Sequence, residues 1–281
     1  MEESNFNYTS TGNDLDIKPL QSVLTRFAKE FDLFCSNNGI TYYLMGGTAL
    51  GAIRHKGFIP WDDDFDVFMD RKNYLRFLYV CKSKLDSSKY YLQREDTDEW
   101  PLFFSKIRLN NTLYIEREEE VGEIHTGLYI DVMCLHNTFT KTWIRYLHFV
   151  ASRILSAKAL SKRGYNTDSS IKRLALFTAK VIISTPVKAL LLKFVRSLDG
   201  QETDFVGHFF GRAPFRYTSF PRRYLGTPRR VPFEGESLPV PSQVEKYLSL
   251  RFGPNYMKVP NQETRNSFPS HLIFYDLGPY A

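Results

Sequence analysis

The stretch YYLMGGTALGAIRHKGFIPWDDDFDVFMDRKNY, residues 42–74, decides how the rest of the chain is read. An apolar run, Tyr42 to Met45, reads as a strand that stops on Gly46-Gly47. A short apolar-patterned helix is predicted from Thr48 to about His55. A turn through Pro60 then leads into four carboxylates, Asp62, Asp63, Asp64 and Asp66, and a second strand. In DFDVFMD, residues 64–70, side chains two apart share a face. Asp64 and Asp66 are expected side by side at the start of that strand, with Phe65 and Val67 turned into apolar packing. Two carboxylates so close repel unless a cation lies between them. Mg²⁺ takes carboxylate oxygens and bridges to phosphates. A glycine pair ahead of a helix lets backbone N–H groups approach an anion. The pattern predicts a metal–phosphate site; the alternative is a solvated acidic loop beside an ordinary turn.

Apolar spacing organises the flanks. Leu20, Val23, Leu24, Phe27, Phe31 and Phe34 predict an amphipathic helix ending near Gly39. RKNYLRFLYVCKSKL, residues 71–85, predicts another. Tyr90 to Gln93 reads as a strand, and Leu102–Leu109 with Thr112–Ile115 reads as a hairpin about Asn110-Asn111. Lys106 and Arg108 then share a face, which on spacing alone is a solvated one. GLYIDVMCL, residues 127–135, reads as a buried strand with Ile130, Val132 and Cys134 on one face and Asp131 on the other. A lone carboxylate there is costly without a partner, unless it caps a loop at the strand end.

The chain of 281 residues is long enough for one large domain or a domain with a subdomain. Its 43% hydrophobic content excludes a wholly disordered chain. Cys35, Cys81 and Cys134 are far apart, so they read as buried thiols rather than a disulfide frame or zinc site. Residues 1–16 are polar and expected to be flexible, with no secretory leader pattern, which predicts a cytoplasmic protein. Residues 141–200 hold twelve Lys or Arg against two acids, a net +10, while the whole chain is +6 and the remainder therefore −4. They read as two or three helices broken near Gly164 and Pro186. No uncharged apolar run reaches the roughly 18 residues of a membrane span. A basic amphipathic pattern predicts a segment lying on an anionic membrane; the alternative is helices packed on the core with basic outer faces. No recognised nucleic-acid module accompanies the basic segment, so no nucleic-acid partner is expected. Ser242–Phe252 reads as a helix with Ser242 as N-cap and Gly253 as its stop. His271, near the end of the chain, is a candidate to approach the site; the alternative, more common for a lone histidine, is a structural role.

GGTALGAIRHKGFIPWDDDFDV, residues 46–67, resembles the signature of the LicD family, which lies in the nucleotidyltransferase superfamily and is related to fukutin-related protein. Lys106-Ile107-Arg108 ahead of Asn110-Asn111-Thr112 is also similar to family members. So is the block Phe233-Glu234-Gly235, Pro241, Tyr247-Leu248, Phe252-Gly253 and Tyr256-Met257. The resemblance is strong over 40–135, moderate over 220–271 and nearly absent over 141–215. It implies an α+β fold: a nucleotidyltransferase-like mixed sheet flanked by helices. The catalytic core would be 17–140, followed by a basic amphipathic helical insertion, 141–200, and the rest of the catalytic domain, 201–281.

The implied activity is transfer of a phospho-alcohol, phosphocholine first, from a CDP-alcohol donor. It depends on Mg²⁺, with Mn²⁺ as substitute. The acceptor would be a sugar hydroxyl of a glycan or lipid-linked glycan, as in lipopolysaccharide or teichoic acid. Ribitol-, glycerol- or ethanolamine-phosphate transfer are alternatives, as is a non-catalytic protein binding the membrane surface. Asp64, Asp66 and Asp131 would hold metal and be catalytic. Gly46, Gly47 and Thr48 would hold phosphates, and Lys106 and Arg108 would neutralise the leaving CMP. Asp62 would bind a second metal or orient Arg54 or His55, Trp61 would pack beside the cytosine or head group, and Glu234 would contact acceptor or donor. The implied location is cytoplasmic, peripheral on the inner membrane face. Sixteen residues, 48–63, separate Gly47 from Asp64. That is longer than in the superfamily at large, so nucleotidyl transfer stays open as a rival reaction.

Overall fold

The computed structural model describes residues 15–116, 124–163, 169–266 and 272–281. Most of the segment expected to be flexible, and His271, lie outside the described residues. Helix α1 (Lys18–Asn37) buries the stripe Leu20, Val23, Leu24, Phe27 and Phe31, as its three-to-four spacing dictates. Strand β1 (Tyr43–Leu44) leads into α2 (Gly46–His55), and β2 (Asp66–Asp70) leads into α3 (Arg71–Lys84). Asp70 starts α3 by accepting a hydrogen bond from Asn73 N at 2.8 Å, an N-cap of the usual kind. Strands β3 (Tyr90–Gln93), β4 (Ser105–Leu109), β5 (Leu113–Ile115) and β6 (Tyr129–Thr138) follow.

Three helices come next, α4 (Thr142–Lys162), α5 (Ser170–Ile182) and α6 (Thr185–Val195), then β7 (Phe205–Gly207) and β8 (Ser219–Pro221). The ribbon of β9 (Arg229–Phe233) and β10 (Glu236–Val240) precedes α7 (Val244–Phe252), α8 (Gln262–Asn266) and β11 (Phe274–Asp276).

One mixed sheet runs β1-β2-β6-β4-β3, extended by β7 and β8 beyond β6. The β2–β6 pair is parallel; β4 runs antiparallel to β6 and to β3. The ten-residue β6 pairs with β2 and β4 through its first half and with β7 through His136–Thr138. Phe65, Val67, Met69, Ile107, Ile130 and Val132 meet α1 and α3 in one apolar core, which Phe233, Leu238, Val240 and Leu248 complete from the C-terminal third.

The strand expected from Asp64 begins only at Asp66, so residues 62–65 are not bound by strand alternation. The predicted hairpin about Asn110-Asn111 does not form: β4 pairs with β3 and β6, and β5 with β11. Residues 126–128 take the hydrogen bonds its arms would have exchanged, Leu109 N to Leu128 O at 2.7 Å and Tyr114 N to Thr126 O at 2.6 Å. Nor does Ser242 cap α7; Gln243 occupies that position without a side-chain bond. Gly253 ends the helix as expected, at φ +90° with its N–H on Ser249 O.

Helices α4 and α6 form a second small core with Phe103 and Phe209, containing Ala151, Leu155, Ala159 and Val195. Pro186 lies in the first turn of α6, opening the helix rather than breaking it. Among the described residues no single helix is long and apolar enough to cross a membrane. Helices α5 and α6 together reach that length and composition but are bent by 105° at their junction.

Candidate functional site

Parallel pairing sets Asp66 of β2 opposite Asp131 of β6, and antiparallel pairing sets Lys106 of β4 on the other side of Asp131. Residues in register across a sheet share a face, so two carboxylates and one ammonium form a row across three strands. Asp62, Asp63 and Asp64 approach from the preceding loop, with one oxygen of each within 4.8 Å of the others. That loop is held from behind: Gln21 donates to Asp62 O at 2.9 Å, and the Tyr114 hydroxyl donates to Asp63 O at 3.3 Å.

The glycines back directly onto the acids. Gly46 has φ +64°, and a Cβ there would lie 3.3 Å from Asp66 Oδ2; at Gly47 it would lie 2.9 Å from Asp62 Oδ2. The ten-residue α2 thus presents its N-terminal, positive end beside carboxylates. Two expected phosphate contacts are already taken within the chain. The Gly46 N–H donates to the Tyr247 hydroxyl at 3.0 Å, and Thr48 Oγ1 accepts from Asp66 N at 2.9 Å. Gly46 and Thr48 therefore place the acids instead of presenting a free cradle.

Burial and like charge act together here. Burial, then Asp63, pushes the Asp62 carboxyl up to about 7, against Arg54. Burial, then Asp66, Asp62, Asp63 and Asp131, holds Asp64 well above the usual carboxylate range. Asp66 is likewise raised by burial, Asp131 and Asp62, with Lys106 and Arg251 opposing. Asp131 is raised by burial, with Lys106 opposing. Asp62 Oδ2 and Asp131 Oδ1 are buried with no hydrogen-bond partner among the described residues. Clustered carboxylate oxygens, two of them without a hydrogen bond among the described residues, suit a hard divalent cation.

Lys106 is 3% exposed. Its Nζ lies 3.4 Å from Asp131 Oδ1, outside hydrogen-bond geometry, and 3.7 Å from Glu116 Oε1. It also sits 3.1 Å from the centroid of the Tyr129 ring. Burial alone would raise Glu116, yet Lys106 and the Tyr129 hydroxyl bring it down to about 2. Arg108 is one pleat further away. Its Nε donates to Gln93 Oε1 at 2.8 Å and its Nη1 to Gly127 O at 2.7 Å, which ties it to the sheet edge. Of the expected basic pair, Lys106 is the one that lies against Asp131.

Arg54, His55 and Trp61 form a rim. Arg54 Nε donates to His55 Nε2 at 2.9 Å, consistent with burial and Arg54 lowering the histidine pKa. His55 meets Trp61 edge-on, and the Arg265 guanidinium lies 4.2 Å from the Trp61 ring centre. Glu234 does not face the acids. Its Oε1 accepts from Phe58 N at 3.0 Å and its own N–H donates to Lys56 O at 2.9 Å. It latches the loop that carries Asp62 to Asp64.

On sequence Asp63 has a place in the acidic run but no role, Tyr247 a place only in the family-like block, and Glu116 and Arg251 neither. Asp63 was hidden by an alternation that does not apply before Asp66. Tyr247 and Arg251 stand four apart on α7, one helical face, a spacing that offered a signal. Nothing local marked Glu116.

Residues 39–117 match the family described as LicD/FKTN/FKRP, nucleotidyltransferase domain. Over 262 residues the chain is 24% identical to the lipopolysaccharide cholinephosphotransferase LicD of Haemophilus influenzae, covering 92% of this chain and 97% of that protein. Over 130 residues it is 26% identical to mannosyltransferase regulator 4 of Saccharomyces cerevisiae, covering 44% of this chain and 10% of that one. An uncharacterized protein of Rickettsia typhi is 37% identical over 57 residues, 20% of this chain and 18% of that one.

Proposed function

We propose, from the premise that this chain carries a LicD-family nucleotidyltransferase domain over residues 39–117, that the protein transfers a phospho-alcohol from a CDP-activated donor to a hydroxyl of a cell-surface glycan. The similarity to a lipopolysaccharide cholinephosphotransferase over 92% of the chain makes phosphocholine the first choice. The observation that carries the reading is the register of Asp66 against Asp131, with Asp62, Asp63 and Asp64 in front of them. We read the mixed sheet as nucleotidyltransferase-like, with 17–140 and 201–281 as catalytic parts and 141–200 as an insertion, and the protein as cytoplasmic.

Asp64, Asp66 and Asp131 would hold Mg²⁺ or Mn²⁺, with Asp62 and Asp63 as further oxygens. When bound, the metal would neutralise the donor diphosphate and polarise the transferred phosphoryl group. Asp131, held above the usual carboxylate range, suits acceptance of the proton of the attacking hydroxyl. Lys106, 3.4 Å from Asp131, sets the charge around that carboxylate and would supply positive charge for the leaving CMP. The α2 N-terminus, through Gly47, favours anionic oxygens from the helix end. Glu234 and Tyr247 position the acid loop and the glycine turn. Arg54, His55 and Trp61 are placed to border the donor.

The test is release of CMP by the purified protein with Mg²⁺ and, separately, CDP-choline, CDP-ethanolamine, CDP-glycerol and CDP-ribitol. EDTA and Asp66→Ala serve as controls. Selective, metal-dependent release from one donor is expected, and the donor names the head group. Absence of release together with absence of Mg²⁺-dependent donor binding by calorimetry would overturn the reading.

A further inference from the structure

Helix α5 is inside out. Its only buried residue is Ala179, while Ile171, Leu174, Phe177, Val181 and Ile182 are 66–83% exposed. Steps of three and four place these on one side of the helix, and that side faces away from α4, against which α5 packs. Leu190 on α6 is exposed to the same degree. A continuous apolar stripe of this kind marks a surface with a missing partner.

Charge selects the partner. The stripe is bordered by exposed Lys172, Arg173 and Lys180, within a segment of net +10 on a chain whose remainder is −4. Two copies meeting through this surface would bring like charges together. An anionic bilayer offers hydrocarbon for the stripe and negative headgroups for its borders. Geometry decides how it is entered. The thirteen residues of α5 extend about 20 Å, short of a hydrocarbon core of about 30 Å. The 105° bend keeps α5 from continuing into α6, and Val195 with its neighbours fixes α6 in the second core.

We infer that α5 and the exposed edge of α6 form an interfacial anchor lying in the plane of an anionic lipid surface, inserted but not spanning. The end of α4, the helix against which α5 packs, reaches toward the acid site. Arg163, just beyond α4, lies 4.5 Å from the centre of the Trp100 ring, and Lys106 Nζ lies 5.3 Å from the same ring. Lys106 in turn faces Asp131. Resting on the transferase reading, the anchor implies an acceptor presented by the membrane itself, a lipid-linked glycan.

The experiment is co-sedimentation of the full chain with phosphatidylcholine vesicles, with and without phosphatidylglycerol, at low and high salt. The probe variant is Leu174→Glu with Phe177→Glu, whose unfolding midpoint should match wild type because both side chains are exposed. Wild type should bind phosphatidylglycerol vesicles in a salt-sensitive way, and the variant should partition at least about tenfold less. Failure of wild type to bind such vesicles, or undiminished binding by the variant, overturns the inference. Dimerisation by light scattering that the variant abolishes, without vesicle binding, would instead assign the stripe to a second copy. Vesicle binding with neither CMP release nor Mg²⁺-dependent donor binding would keep the anchor and remove the transferase reading; CMP release without vesicle binding would do the reverse.

Discussion

Replacing Asp64 by asparagine should make the metal-free protein more stable while abolishing turnover. Asp62, Asp63 and Asp64 bring oxygens within 4.8 Å of one another. At that separation two unit charges repel by about 3.5 kcal/mol at an effective dielectric constant of about 20. Asp62, held at about 7, is only partly ionised near neutrality, so the relief per pair is smaller than the full charge product. A gain of about 2–4 kcal/mol at about pH 8 in EDTA follows. The sign of its pH dependence is fixed by the direction of the shifts. Asp62, Asp64, Asp66 and Asp131 are all raised in the folded state. Between the unfolded and folded values the unfolded chain is the more ionised, so metal-free stability falls as pH rises. The gain from Asp64→Asn should therefore be smaller at about pH 5 and vanish only below about pH 4, the unfolded carboxylate value. Urea unfolding followed by tryptophan fluorescence reads the effect as a shift in midpoint at constant slope. Asp70→Ala is the contrasting variant: losing the α3 cap should cost about 1 kcal/mol at both pH values. A loss of more than about 1 kcal/mol for Asp64→Asn in EDTA at high pH would refute the repulsion argument. So would equal stabilisation of wild type and variant by added Mg²⁺.

Other outcomes follow from single contacts. Burial holds His148 down to about 4, so folding should lose at most about 3 kcal/mol from this group as pH falls from about 6.5 through about 4. The difference in urea midpoint between wild type and His148→Asn across that window isolates it. Gly51→Ala should destabilise by about 1–3 kcal/mol or more, because its Cβ would meet Gly57 O at 2.5 Å; thermal unfolding checks this. Glu234→Ala should speed amide exchange at Phe58 and lower CMP release, whereas Glu234→Gln, which keeps an acceptor for Phe58 N, should retain most of both. Asp131→Asn should abolish CMP release without loss of fold by circular dichroism.

The elements with a local signal were legible. Helices α1 and α3 and strand β3 follow from apolar spacing within one segment, and β3 matches its expected bounds, Tyr90–Gln93. The faces of β6 were also readable, because Ile130, Val132 and Cys134 alternate with Asp131. What escaped depended on residues far along the chain. No pattern within 102–115 reveals that residues 126–128 will take the hairpin's hydrogen bonds. The acids themselves are visible as a run, but Gly46 and Glu234, expected as ligand contacts, are engaged by Tyr247 and Phe58 far along the chain, and Thr48 by Asp66 within the same stretch. Arg108 shows the same limit: its face was readable, whereas its engagement by Gln93 and Gly127 O was not.

The bond from Gly46 N to the Tyr247 hydroxyl joins residues 201 apart, and the Glu234 latch on Phe58 joins residues 176 apart. Both hold the acid loop or its glycine turn, and both come from the last quarter of the chain. During synthesis at about 5–20 residues per second, the ribosome adds Tyr247 roughly 10–40 s after Asp66. Through that interval the nascent chain carries its carboxylates without the clamps that confine them. An arrested or truncated translation product would hold every acid of the cluster and still lack the assembled site.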